Sequence, residues 1–384
     1  MDRRQFIQAL GMAVTGLASG GLAHSRDTSQ RTIGLIDVQA WGARQKKVSV
    51  SYEWAPLREV VVGYPFIKLS NRFPFAVNRW LEVPPEFKVL MALWLDKYPG
   101  MTLEEIANLP GAESIFSQLY FGQVGQINAV IQLLQSLGIF VYQIPPLSKE
   151  EQAYLANLDG NALQLFPRDP ILVVGENYFE LPLLLPYRRR ERFAIRHVTQ
   201  SLLNSQNIPI HSAPEPYPLP GDENGFGPSA FLEGGDVLVF GKQLLVGISG
   251  NASNLAGVNW LKQVLGSSYS IETVLLKPNF LHLDVALCTP RPGLALVCRS
   301  AFLNGLPRFL RGWTLIEVAE RDALESLACN GLILDERSII VTDQPSYIGD
   351  QLEKAGQTVY RMPFNTVTPL GGGFRCWHHP IRRG

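Results

Sequence analysis

From residue 48 onward, short apolar runs rich in β-branched residues alternate with amphipathic stretches. That alternation limits the chain to an α/β fold assembled from small units. Strands are predicted at 60–62, 139–141, 171–174, 237–240, 244–246, 274–276, 294–297, 315–318, 332–334, 339–341 and 358–360. Helical patterns lie between them at 124–137, 192–204, 255–265 and 348–355. In the first of these Val124, Ile127, Ile131, Leu134 and Leu137 share one face, and Gly138 is placed to end it. Two strands, a helix and a further strand recur about every 50 to 70 residues, too irregularly to prove a repeat array.

Residues 74–111 break this rhythm with Trp80, Phe87, Trp94 and Tyr98. Thr102 and Glu105 have the spacing of a capping box that opens a short helix. This reads as a helical insertion that could cover a site, although ordinary packing also explains such aromatics. The Pro/Gly-rich stretch 214–227 reads as a mobile flap.

The formal net charge is zero over 384 residues, which removes the electrostatic case for nucleic acid or an anionic membrane. No run of about 18 apolar residues exists, so stable membrane insertion is not expected. Hydrophobic residues make up 46% of the chain, enough for a large core, and a small molecule becomes the expected partner. Cys288, Cys298, Cys329 and Cys376 fit neither a zinc motif nor a disulfide framework. The first three read as small buried hydrophobes.

The opening Arg3-Arg4-Gln5-Phe6-Ile7, followed by a modest apolar stretch to Ala23, has the pattern of a twin-arginine export signal. The alternative is an amphipathic first helix, against which Gly11, Gly16, Gly20 and Gly21 argue. On this reading 1–27 is a signal peptide, 48–384 is the catalytic domain, and the mature protein works in the periplasm or outside the cell. On the helix reading it stays in the cytoplasm.

Four motifs carry chemistry. In Gly371-Gly372-Gly373-Phe374-Arg375-Cys376-Trp377, glycines let the backbone turn and let a ligand approach, and neighbouring amides and positive charge would favour a Cys376 thiolate. On a strand, His282 and Asp284 would project from one face, with the carboxylate orienting the imidazole for proton transfer. A metal held by that pair with His378 or His379 is the lesser alternative. Glu233, before Gly234-Gly235-Asp236, is an acid among apolar residues and should meet a cation. Asp169, between Arg168 and Pro170, stands at the edge of a predicted strand. A planar guanidinium matches this set: two carboxylates clamp it, a thiolate attacks its carbon and an imidazole moves protons.

These residues resemble the amidinotransferase and arginine deiminase superfamily of guanidine-modifying enzymes, from about Trp54 to Gly384. The resemblance starts at Glu53-Trp54-Ala55-Pro56-Leu57-Arg58-Glu59, and Pro167-Arg168-Asp169, Glu233, His282-x-Asp284 and Cys376 fall on the family's motif. It implies a five-bladed, pseudo-fivefold α/β propeller, the pentein fold. It also implies Cys376 as nucleophile, His282 as proton donor and Asp284 as the residue that orients His282. Asp169, Glu233, Arg168, Gly372 and Gly373 would contact substrate, with no cofactor and no metal. The Trp54 opening and the Arg382-Arg383-Gly384 ending are nearer glycine amidinotransferases, which transfer an amidino group from arginine to an acceptor amine. Glu233-Gly234-Gly235-Asp236 and Arg188-Arg189-Arg190-Glu191 are nearer the deiminases, which makes hydrolysis the alternative; a non-catalytic guanidino-binding protein is the weaker one. Without the resemblance the arginine run reads as a solvated patch, and with it one arginine would meet a substrate carboxylate. A homodimer is left open.

Overall fold

The computed structural model describes residues 47–65, 67, 85–157, 164–185, 188–216 and 229–384. Its strands are β1 (Leu57–Val62), β2 (Phe140–Gln143), β3 (Ile171–Val174), β4 (Asn177–Glu180), β5 (Ile210–Ser212), β6 (Val237–Phe240), β7 (Gln243–Ile248) and β8 (Ser270–Leu275). They continue as β9 (Leu287–Arg291), β10 (Leu294–Val297), β11 (Thr314–Glu317), β12 (Leu332–Asp335), β13 (Ser338–Thr342), β14 (Thr358–Met362) and β15 (His378–Arg383).

These make five separate three-stranded sheets. In four of them a tight hairpin gives an antiparallel pair, and the chain then crosses over to lay a third strand parallel to the second. Helices Glu191–Ser205, Leu255–Leu265 and Ser346–Lys354 form three of these crossovers. The fifth sheet is shared by the chain ends: β15 pairs antiparallel with β1, with His378 opposite Val62, and β1 pairs parallel with β2. That closure brings residue 376 back beside the start of the domain.

Several first or middle strands are buried at every position, among them Ile171–Val174, Val237–Phe240 and Leu294–Val297. Both faces are covered, which is why they read as unbroken apolar runs rather than as alternation. The pattern missed β4, β5, β9 and β15. Pro290 in β9 and His378-His379-Pro380 in β15 hide strands that are buried by their neighbours. His282 and Asp284 do not lie on a strand: His282 is extended and the single helical turn Leu283–Ala286 follows it.

The helix over 124–137 begins earlier, as Ser114–Ser136, and buries Phe116, Tyr120, Gln123, Ile127, Val130 and Leu134. Leu137 is exposed beyond its end, so the buried face is rotated from the expected one. Gly138 has the expected positive φ. The insertion supplies Pro85–Lys97 and Leu103–Ala107, and the Thr102–Glu105 capping box is present. Trp94 is buried in the core, with its ring edge-on to Phe116 at 5.9 Å, so it packs rather than covering a site. Trp80, the stretch 217–228 of the expected flap and the whole signal-like N-terminus lie outside the described residues. No described helix is long and apolar enough to cross a membrane.

Candidate active site

Each sheet's first strand is entered through a tight turn, and the polar residues of those turns meet. Asp169 stands two residues before β3, Glu233 four before β6, Asp284 three before β9, and Cys376 two before β15. The fifth such turn, before β12, carries Asn330. All five are buried, together with His282.

The turns are built for close approach. A Cβ on Gly234 would fall 2.0 Å from the Arg168 carbonyl oxygen, and one on Gly235 would fall 2.5 Å from His282 Nδ1. Both glycines of the Glu-Gly-Gly-Asp turn therefore make room for the other site segments. Asp236 accepts a hydrogen bond from the Leu283 amide at 3.0 Å, which pins the His282 turn to the Glu233 turn.

Glu233 rather than Asp284 orients the imidazole. His282 Nε2 donates to Glu233 Oε2 at 2.9 Å, and its Nδ1 lies 3.7 Å from Asp169 Oδ1. Burial opposes a charge on His282, but Asp169, Glu233 and Asp236 outweigh it and hold the imidazolium pKa up at about 10. The ring is a proton donor at neutral pH. Glu233 Oε1 accepts from the Leu184 amide at 3.1 Å.

Asp284 instead faces the thiol. Its Oδ2 is 3.8 Å from Cys376 Sγ and accepts from Arg375 Nη1 at 3.0 Å. Arg375 also pairs with buried Glu53 at 3.2 Å and donates to the Val237 carbonyl at 2.9 Å. Asn330 Oδ1 accepts from the amides of Arg375 and Cys376, at 2.9 and 3.1 Å, while its Nδ2 donates to the Asp284 carbonyl at 3.2 Å. Asn330 thus ties the Cys376 turn to the Asp284 turn. No sequence motif marks Asn330, and Glu53 stands in the Trp54 opening with no site role assigned to it; position in the fifth turn is the signal that marks Asn330.

The Gly373 backbone and the Arg375 charge do favour a Cys376 thiolate, but Arg375 is shared by Asp284 and Glu53 and the opposing influences are larger. Burial, then Asp284 and Asp169, push the thiol pKa well above its ordinary value. The group rests as a neutral thiol.

Three residues expected at the substrate, Arg168, Gly372 and Gly373, have close neighbours within the chain. Arg168 turns away, with Nε donating to the Arg375 carbonyl at 3.1 Å and Nη2 lying 3.1 Å from His378 Nε2. A Cβ on Gly372 would fall 2.3 Å from the Phe166 ring, and one on Gly373 would fall 2.8 Å from Asn330 Oδ1. These glycines admit other parts of the chain, and Gly371, with φ of 98°, is the one that needs the left-handed turn. Trp377 is buried, with Nε1 donating to the Gly63 carbonyl at 3.2 Å.

The arginine run is no solvated patch, since Arg188 and Arg189 are buried. Arg189 donates to the carbonyls of Leu183 and Leu184, both at 3.0 Å. Arg188 grips Glu191 with Nε and Nη2, at 2.8 and 2.9 Å. Its Nη2 also reaches Asp169 Oδ2 at 3.0 Å, and Nη1 lies 3.6 Å from Glu233 Oε2. Among the described residues Asp169, Glu233 and His282 are the group able to hold a metal ion, with one atom of each within 4.8 Å of the others. The Arg188 cation already faces two of the three, and His378 is outside the group, held by Phe374 and Arg168.

Five three-stranded sheets whose entry turns bring carboxylates, an imidazole and a thiol together define the class. The fold is the five-bladed α/β propeller shared by the amidinotransferases and the arginine deiminase group. Within that class the homologues of this chain are glycine and inosamine-phosphate amidinotransferases, transferases of amidino groups. The mitochondrial glycine amidinotransferase of Gallus gallus is 25% identical over 410 residues, covering 97% of this chain and 92% of its own. The inosamine-phosphate amidinotransferase structure from Streptomyces griseus superposes with a TM-score of 0.68 at 23% identity, over 88% of this chain and 97% of that one. The N-terminal domain of the cyanobacterial arginine dihydrolase ArgZ gives 0.53 at 19% identity, over 69% and 87%. No family model matches the sequence.

Proposed function

We propose that this protein moves an amidino group from arginine or a related guanidino donor to an acceptor amine, through a covalent intermediate on Cys376. One observation carries the reading. Asp169 Oδ1 and Asp284 Oδ1 are buried and have no hydrogen-bond partner among the described residues, in the cluster that holds Cys376 Sγ. Unsatisfied buried acceptors are costly, and a guanidinium supplies N–H donors in one plane with a positive charge that suits them.

That charge would also act on the thiol. A cation entering among Asp169, Glu233 and Asp284 offsets the carboxylates that keep Cys376 protonated, so the thiol gives up its proton to solvent and the thiolate forms when the donor binds. Sulfur then bonds to the guanidinium carbon. His282 gives its proton to the departing nitrogen, and the C–N bond breaks to leave an amidino group on sulfur. An amine attacks that carbon, its proton passes to His282, and the C–S bond breaks to restore the cysteine.

Hydrolysis differs only in the second nucleophile. The Glu233 and Arg188–Glu191 motifs favour it, whereas the amidinotransferase homologues favour transfer. Purified protein is incubated with arginine, with and without glycine or lysine, and the products are read by mass spectrometry. Ornithine that forms only with an acceptor supports transfer. Citrulline or ammonia formed at one rate in both mixtures overturns it in favour of hydrolysis.

The same reading includes export through the Arg3-Arg4 signal, which places the reaction outside the cytoplasm.

A further inference from the structure

We propose that Arg188 is an internal competitor for the donor's guanidinium, so that donor binding is an exchange of one guanidinium for another. The inference rests on the clamp assigned above to Asp169 and Glu233. Both oxygens of Glu233 are already engaged, Oε1 by the Leu184 amide and Oε2 by His282. The remaining approach to Oε2 is faced by Arg188 Nη1, and Asp169 Oδ2 is taken by Arg188 Nη2. A donor that arrives at Cys376 can reach Asp169 Oδ1 directly. It gains Glu233 and the second oxygen of Asp169 only where Arg188 withdraws.

Glu191 makes withdrawal affordable. Arg188 holds that carboxylate through two donors of its own, three residues along the chain at the start of helix Glu191–Ser205, and keeps this pair after giving up Asp169 and Glu233. The cation is never left unpaired in the interior, the condition that makes broken buried ion pairs expensive. Arg188 thus sets donor affinity and supplies, beside His282, the second positive charge that the two buried acids of the clamp need between turnovers.

The competitor has to be separated from a fixed counterion, because removing any buried cation strengthens the binding of another. Burial pushes the Glu191 carboxyl up to about 8, so the measurement is made near pH 9, where the double variant Arg188→Met, Glu191→Gln deletes one positive and one negative charge and only the competing fork is lost. Methylguanidinium is the probe, since it carries the guanidinium and no carboxylate. Its dissociation constant is read from the concentration dependence of the change, in either direction, that it causes in the rate of Cys376 labelling by iodoacetamide.

The double variant is expected to bind methylguanidinium about tenfold more tightly than the wild type, and Glu233→Gln added to it should remove the gain. Arg188→Lys, which keeps the charge but lacks the planar fork, should fall between and serves if the double variant fails to fold. Unchanged or weaker binding in the double variant or in Arg188→Lys, with Glu233→Gln still weakening wild-type binding, overturns the competitor while leaving the clamp. Binding indifferent to Glu233→Gln in every background sinks the clamp itself.

Discussion

Replacing Glu233 by Gln separates the chemical from the structural role of this carboxylate. Glu233 accepts two buried donors, the Leu184 amide and His282 Nε2–H, and a glutamine offers one oxygen in place of two. The variant resolves the conflict by keeping its oxygen on Leu184 and turning its NH2 toward Nε2, which must then be unprotonated. His282 becomes a neutral imidazole with its proton on Nδ1, facing Asp169. The fold keeps its hydrogen bonds but gives up the buried His282–Glu233 charge pair, so stability should fall by about 1–3 kcal/mol at neutral pH with the molecule still folded. Chemistry loses both the charged acceptor for the donor and the protonated acid. A lost charge-assisted contact of roughly 3 kcal/mol corresponds to about a hundredfold in turnover. The wild-type sign can be checked independently. With the His282 pKa raised from 6.5 to about 10, its contribution to stability is full below pH 6.5 and is lost as pH rises through about 10. In Glu233→Gln that loss should shift to lower pH. The assays are thermal melts across pH and steady-state rates per folded molecule. A melting temperature that collapses while folded molecules keep normal rates would show Glu233 to be structural and refute the reasoning.

Asn330→Ala strips the side-chain acceptor from two amides at the Cys376 turn. It should cost about 1–3 kcal/mol in stability and lower kcat more than donor KM, with Asn330→Asp restoring part of kcat; a loss confined to KM contradicts the positioning role. Because the Cys376 pKa stands above the ordinary thiol value of 9.0, iodoacetamide labelling of the donor-free protein should keep rising beyond pH 9, and guanidino ligands that leave the sulfur open should move the rise to lower pH. A midpoint below about pH 8 without ligand contradicts the resting thiol. Acid-quenched turnover mixtures should show an amidino adduct on Cys376 by intact mass, and activity that survives Cys376→Ala ends the nucleophile assignment. A fusion of residues 1–27 to a reporter that fluoresces only after folded export should reach the periplasm, and Lys at positions 3 and 4 should block it. Cytoplasmic retention of the unaltered fusion returns that segment to the helix reading.

The ββαβ rhythm was legible because strands buried on both faces must be apolar throughout, as Ile171–Val174 and Val237–Phe240 are. The motif residues were legible because an acid such as Glu233 among apolar neighbours has no cheap explanation other than a cationic partner. Their partners were not legible. His282 and Asp284 are two apart in sequence, yet an extended residue followed by a single helical turn sends one to Glu233 and the other to Arg375 and Cys376. Strand geometry would have paired them. Arg188, Asn330 and Glu53 acquire their roles only when turns from different sheets converge. What the sequence determined was the kind of chemistry, since residue types and local turns fix which groups are costly to bury alone. What the tertiary structure decided was who meets whom. The hydrogen bonds and ion pairs that build the site run between segments up to 322 residues apart, as in Glu53–Arg375, and no local pattern encodes that distance.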